Sequence, residues 1–429
     1  MSPIEPASPR ARNHFAAART QGLMSAELPA LEGRPALRVL AALDAPDVCV
    51  SPEDDTSAVD TLARALDALC ERADGPPDRP IATLWLSYDA ARAAADPRPL
   101  VDPRPRGDRC PAAFLATHRA TLVQRADTHA VVHRHGDPRA LDALDAAGTA
   151  GDLGRSERPR LRLRSPTSRR AFTAAVDAVR AEIAAGNVYL VNVARRLDAP
   201  LGDAQADAIA HRVTASNAAR AMVANAGGVL VGAMSMELAL RWERRAGVAW
   251  SAPIKGTRPR RGSARDDAAE VAALQHDPKE RAENAMAVDV HRNDLGRVAR
   301  AGGVSVPRLF AVETHAFVHH LVSWVRAEVP AELGAREMLR ATLPVGSVTG
   351  APKLAAMDTI ARVEPARRGL YTGVYGHVFG DGTVELSVAI RTMVADADGI
   401  HYGVGGGIVW DSDPAREWEE LGWKSRALR

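Results

Sequence analysis

Apolar and polar positions divide the chain into two unequal halves. From residue 14 to about 165 the periodicity is weak, with alanine-rich stretches broken by Pro, Gly and Asp clusters. Ala58–Arg72 repeats apolar residues at helical spacing and predicts a helix. Ile81–Tyr88 reads as a strand leading to Ser87-Tyr88-Asp89, and the Pro-rich piece Asp96–Asp108 as a loop. Leu141–Ser165, rich in Gly, Asp and Arg, reads as a connector to a denser half.

That half opens with a helix over Ser168–Ala185, stopped by Gly186, and a strand over Val188–Arg196. A helix is expected at Asp203–Ala219, then strands at Ala221–Val231 and Leu238–Trp242 on either side of Ser235-Met236-Glu237. Asp266–Leu274 is helical, and Asp277-Pro278 restarts the helix with Asp at the N-cap and Pro at the first helical position. Asp413-Pro414 repeats the signal. Phe317–Ala327, Gly373–Phe379 and Thr383–Ala395 read as strands and Pro352–Ile360 as a helix; a last strand carries Gly403–Ile408. Strands mostly follow strands, which favours an α+β fold of antiparallel sheets with packed helices over a doubly wound one. The expected organisation is a tail over residues 1–13, an N-terminal region over 14–165 within the same sandwich, and a catalytic region over 166–429.

Composition narrows the class. A chain of 429 residues, 46% hydrophobic, is ample for a large core, and its formal net charge is only +2. Basic residues are interleaved with acidic ones, so no nucleic-acid surface is expected. Cys49, Cys70 and Cys110 are far apart and form no CxxC, which fits a reduced, cytoplasmic protein without disulfides or a zinc site. The N-terminus has no apolar signal-peptide core, and no run is long enough for a membrane span.

Candidate chemistry starts from a scarcity. The 55 basic residues include four lysines: Lys255, Lys279, Lys353 and Lys424. Arginine cannot shed a proton to become a nucleophile, so a lysine kept in Pro253-Ile254-Lys255-Gly256-Thr257 is a candidate amine; the plainer reading is a surface lysine in a turn. Glu280 and Glu283, and likewise Glu417 and Glu420, are three apart near helix starts, which puts each pair on one helix face. Oxygen ligands of this kind suit Mg²⁺. Capping of the helix by Asp277 and pairing of Glu420 with Lys424 would explain the same residues without a metal. Gly346–Lys353 is a small-residue loop running into a helix start, suited to a carboxylate rather than a triphosphate because its spacing departs from a P-loop. Gly405–Gly407 would let backbone approach a ligand, or would make a bulge. His320 sits in an apolar strand, and Arg391 ends one, where its charge needs an acid or a substrate carboxylate as partner.

Taken together, Pro253–Arg258, Arg281–Arg297, Val318–Ser323, Gly346–Lys353, Ala389–Thr392, Gly405–Ser412 and Glu417–Lys424, in that order, resemble the chorismate-utilising enzymes. The resemblance runs from about residue 166 to the end; before it, only Trp85–Asp89 matches. It implies two packed antiparallel sheets covered by helices, and one Mg²⁺ near the ring carboxylate of chorismate. Glu283 and Glu420 are implied as direct ligands, with Glu280 and Glu417 beside them. Ser347, Thr349, Gly405 and Gly406 are implied to face the ring carboxylate. By the same resemblance Arg391 grips the pyruvyl carboxylate, His320 lines the reacting edge and Lys424 adds positive charge, while Asn293 and Asp294 are structural.

Three positions discriminate within the family. Lys255 resembles the members that form aminodeoxychorismate, whereas anthranilate-forming members carry a small residue there. Leu190 stands where water-adding members carry lysine and amine-transferring members glutamine; leucine can deprotonate nothing. Glu237 matches the family's Ser-Pro-Glu acid, and His377 falls where a tyrosine touching the pyruvyl group is expected. The implied reaction is attack of Lys255 on the ring, protonation of the leaving hydroxyl by Glu237, and displacement of the lysine by ammonia, feeding 4-aminobenzoate and folate synthesis. Ammonia is expected from a separate glutamine amidotransferase subunit, since no cysteine here sits in a glycine-flanked nucleophile turn. Anthranilate formation is the alternative, weakened by the lack of that branch's leucine-rich tryptophan-feedback motif.

Overall fold

Two antiparallel sheets pass strands to one another, and the crossings decide where the cavity opens. The structure, a computed structural model, describes residues 23–28, 37–96, 98, 102–125, 131–149, 161–200 and 205–426. The expected tail and part of the expected connector lie outside these residues.

In the first sheet the order is Val131–Gly136, Ala113–Arg125, Leu37–Leu43, Leu23–Leu28, Arg220–Ala226, Val229–Ser235, Thr392–Asp396, Gly399–Ile408, Leu190–Ala199 and Gly350–Ala351. In the second it is Val48–Val50, Ala113–Arg125 again, Pro80–Leu86, Val374–Phe379, Val384–Val388, Leu238–Glu243, Val248–Ala252, Val318–Glu328 and Val304–Thr314. Ile254–Pro259 pairs with the other end of Val318–Glu328. Ala113–Arg125 is long enough to serve both sheets, residues 113–117 in the second and 118–125 in the first.

Alternation along the strands sorts side chains into layers. Trp85 stacks on Phe114 at 3.9 Å between centroids, and both join Met24, Val231, Tyr375 and Phe379 in the core between the sheets. The neighbours Leu84 and Leu86 point the other way, toward the helices Asp55–Arg72, Tyr88–Ala95, Pro278–Gly296 and Ala335–Thr342. Helices Arg169–Ala184, Gln205–Ser216, Lys353–Val363 and Pro414–Arg426 cover the outer face of the first sheet. The result is the α+β arrangement of two packed antiparallel sheets between helical layers.

Several boundaries differ from the sequence reading, each for a local reason. Ala221–Val231 is a hairpin, because Gly227 and Gly228 both take positive φ and turn the chain. Ser87 caps a helix that begins at Tyr88, its Oγ accepting from the Ala90 N–H. A helix over Pro138–Thr149 occupies the start of the expected connector. Thr383–Ala395 is two strands in different sheets, broken at Arg391, whose φ is +50°.

This last break matters most. The chain leaves the first sheet at Met236-Glu237 and enters the second; at Ala389–Arg391 it returns. The two crossings lie side by side: the Met234 N–H donates to the Arg391 carbonyl at 3.2 Å, and the Val388 N–H to the Glu237 carbonyl at 3.1 Å. Both sheets diverge there, and Glu237 and Arg391 line the space between them.

Candidate active site

A cavity of about 510 Å³ opens at these crossings. Its walls come from Ile254–Pro259, the loop ahead of Lys353, the Gly399–Ile408 strand and the first turns of the helices starting at Pro278 and Pro414. Lys255, Glu237, His320, Ser347, Arg391, Gly405, Lys424, Glu280, Glu283, Glu417 and Glu420 all line it. Thr349 and Gly406 do not. Thr349 is fully buried and donates its hydroxyl to the Val345 carbonyl, and Gly406 leaves room for Glu417, whose Oε2 would lie 3.3 Å from a Cβ there.

Ser347 ties the two reactive candidates together. Its Oγ donates to Glu237 Oε1 at 2.5 Å, and its carbonyl accepts from Lys255 Nζ at 3.2 Å. Burial pushes the Lys255 amine below its usual pKa, helped by the charge on Lys424 and opposed by Glu237, Glu283 and Glu420. Burial likewise raises the Glu237 carboxyl, against the pull of the Ser347 hydrogen bond and of Lys255. Both shifts run toward the uncharged forms. Gly256 takes a φ of +90°, and a Cβ there would lie 3.1 Å from Glu280 Oε2, so glycine both turns the backbone and admits that carboxylate.

The glutamates form a charged rim. Glu280 is raised by burial and then by Glu283 and Asp277; Glu417 is raised by burial and by Glu420. Lys424 pairs with Glu420 at 2.8 Å and Lys279 approaches Glu283 at 3.9 Å, while Ser412 donates to Glu417 at 2.8 Å. Among the described residues no three His, Cys, Asp or Glu side chains already stand close enough to hold an ion. His320 meets Thr257 Oγ1 at 2.9 Å, and burial, with His315 and the Arg391 charge nearby, holds its pKa near 3, so it is a neutral imidazole. Arg391 is exposed to the cavity.

Sequence reasoning missed the supports and part of the wall. Tyr371, Tyr402 and Asn192 line the cavity, whereas His377 does not; it sits in the Val374–Phe379 strand against Thr83 at 3.3 Å. Glu364 and Arg368 form a buried pair at 2.6 Å, and Arg368 also donates to the carbonyls of Val348 and Asn192. Asp294 binds Lys353 at 2.6 Å and so pins the loop's helix to the glutamate helix. A signal existed for this last pair, since Lys353 is one of the four lysines; none existed for Tyr371, an isolated tyrosine in a loop.

An α+β sandwich whose two sheets diverge around a buried lysine, a buried glutamate and a carboxylate rim defines an enzyme-like cavity. The chain belongs to the family described as chorismate binding enzyme, which matches residues 31–429. Anthranilate synthase component 1 of Streptomyces coelicolor is 41% identical over 258 residues, 60% of this chain and 50% of that protein. Aminodeoxychorismate synthase component 1 of Klebsiella aerogenes is 40% identical over 259 residues, 60% of this chain and 56% of that one. The matches thus span about half the length of these relatives. The anthranilate synthase component 1 of Haloarcula marismortui matches more evenly, 35% identical over 86% of this chain and 73% of its own. Among solved structures, anthranilate synthase component I from Streptococcus pneumoniae superposes with a TM-score of 0.72 at 25% identity over 85% of both chains.

Proposed function

We propose that this chain is component I of an aminodeoxychorismate synthase, converting chorismate and ammonia to 4-amino-4-deoxychorismate. One observation carries the reading: an amine held below its ordinary pKa and a carboxylic acid held above its own share Ser347 in one cavity. A neutral buried amine attacks; a protonated buried acid gives up a proton.

In this reading Lys255 Nζ bonds to ring C2, the two ring double bonds shift, and the C4–O bond breaks. Glu237 protonates the departing hydroxyl, which leaves as water. Ammonia then bonds to C4, the double bonds shift back, and the C2–N bond to Lys255 breaks. The Glu237 carboxylate recovers its proton from the new ammonium, so the enzyme is regenerated and the pyruvyl group is kept. Arg391, which lines the cavity, would meet a substrate carboxylate, and His320, being neutral, would line the ring without adding charge. Leu190 supplies no base, which disfavours addition of water.

Glu280, Glu283, Glu417 and Glu420 fit a hard divalent cation. They offer oxygen only, and burial together with the neighbouring carboxylates, which raise Glu280 and Glu417, is a cost that a cation would relieve. Bound there, Mg²⁺ would act as a Lewis acid toward the ring carboxylate of chorismate.

The nitrogen source is proposed to be ammonia from a separate glutamine amidotransferase subunit. The relatives' name "component 1" supports this. Named relatives divide between aminodeoxychorismate and anthranilate synthases, and Lys255 is the feature that favours the first. The deciding assay combines the chain with chorismate, Mg²⁺ and ammonium and identifies the product by mass and absorbance. 4-Amino-4-deoxychorismate is expected; anthranilate with released pyruvate would overturn the reading.

A further inference from the structure

One side chain of the cavity wall has no task in this scheme. Asn192 lies in the Leu190–Ala199 strand, is 7% exposed and lines the cavity, yet its Oδ1 has no hydrogen-bond partner among the described residues. Its backbone, by contrast, is fully engaged. The Asn192 N–H donates to the Thr349 carbonyl at 2.8 Å, and its own carbonyl accepts from Arg368 at 2.7 Å. Through Thr349 it is fixed to the same short loop whose Ser347 holds Lys255 and Glu237.

Room for the amide is made by a glycine. A Cβ at Gly405 would lie 2.5 Å from Asn192 Oδ1 and 2.9 Å from the Tyr371 hydroxyl, so both polar groups use the space left by the missing side chain. Leu190, next on the same face of the strand, offers only carbon and takes the corresponding space at Gly407, 3.0 Å from a Cβ there. A buried amide oxygen left unbonded disfavours folding unless a ligand satisfies it.

We infer that Asn192 is the acceptor that holds ammonia for the second displacement. This rests on the aminodeoxychorismate reading above. Chorismate brings two carboxylates and an ether, none of which can donate to Oδ1, and its hydroxyl is engaged by Glu237. Ammonia is the one reactant rich in N–H. An acceptor on the protein binds those N–H bonds and leaves the nitrogen lone pair free for C4, whereas a donor would consume it.

The test separates the two half-reactions. Without ammonia, the parent and Asn192→Leu should both form the Lys255 adduct, seen by intact mass as chorismate less one water, at rates within about twofold. With ammonium, Asn192→Leu should raise KM for ammonium about tenfold or more while the Kd for chorismate stays unchanged. Asn192→Asp keeps an acceptor but holds the nitrogen protonated, so its KM for ammonium should stay near the parent's and its kcat should fall. An unchanged KM for ammonium in Asn192→Leu overturns the inference. A weakened Kd for chorismate or slowed adduct formation overturns it too, making Asn192 a substrate contact. A parent enzyme that forms no aminated product at all refutes the aminodeoxychorismate reading itself, and this inference with it.

Discussion

At the scale of single residues, Lys255 carries the most specific expectation. If its amine is the first nucleophile, it attacks ring C2 with a proximity advantage on the order of 10⁵ M or more over free ammonia. Lys255→Arg keeps the charge and loses the nucleophile, so it should be inactive. Lys255→Ala should open C2 to ammonia and yield a 2-amino adduct, identified by mass and chromatography. Continued formation of 4-amino-4-deoxychorismate at the parent rate would exclude covalent catalysis. The glutamates carry a second expectation. Glu283→Gln or Glu420→Gln should lose turnover with an unchanged circular dichroism spectrum, because an amide cannot replace a carboxylate on a divalent cation. Full activity in excess chelator would remove the metal from the scheme.

At the scale of elements, strands of the first sheet are stapled by His401. From the Gly399–Ile408 strand, its ring meets Asp198 at 2.9 Å on one neighbouring strand and Asp396 at 3.2 Å on the other. Despite the cost of burial, these two carboxylates raise its pKa to about 9, so the imidazolium persists at neutral pH. A histidine whose folded pKa lies above its ordinary value of about 6.5 contributes stability that is complete below pH ~6.5 and lost as pH rises through ~9. His401→Gln should therefore lower the unfolding free energy by about 2 kcal/mol at pH 6 and by much less above pH ~9. Urea titrations at the two pH values decide it; an equal loss at both would mean that packing rather than charge is at stake.

For the whole molecule, acid is the expected weakness. His291 and His320 are both buried, and burial, with nearby positive groups, holds each near a pKa of 3. Between pH ~3 and ~6.5 the unfolded chain binds protons that these folded imidazoles refuse, so stability is complete above pH ~6.5 and falls as pH drops. Each histidine removes about 1.4 kcal/mol per pH unit well inside that window, and the pair about twice as much. Denaturant midpoints measured from pH 7 to 4 should decline steeply, and a flat profile would show that the imidazoles gain protons without unfolding. Among the described residues no helix is long and apolar enough to cross a membrane.

What the sequence determined by itself is what local chemistry governs. Capping by Asp277 and the Asp413-Pro414 pair, the stop at Gly186 with its φ of +76°, and the glutamate spacing on two helices could all be read from neighbouring residues. Seven short motifs in order also named the family. The tertiary structure alone decided that Thr383–Ala395 must split, because nothing local marks a strand that changes sheets. It also decided the buried polar face of the Pro278–Gly296 helix. Asn284, His291 and Asp294 face inward there because Ser323, Ser251 and Lys353 wait on other elements to bond them. The same holds for the wall of the cavity. Tyr371, Tyr402 and Asn192 come from three separate segments, and their value arises only where sheet pairing and missing glycine side chains bring them to one space.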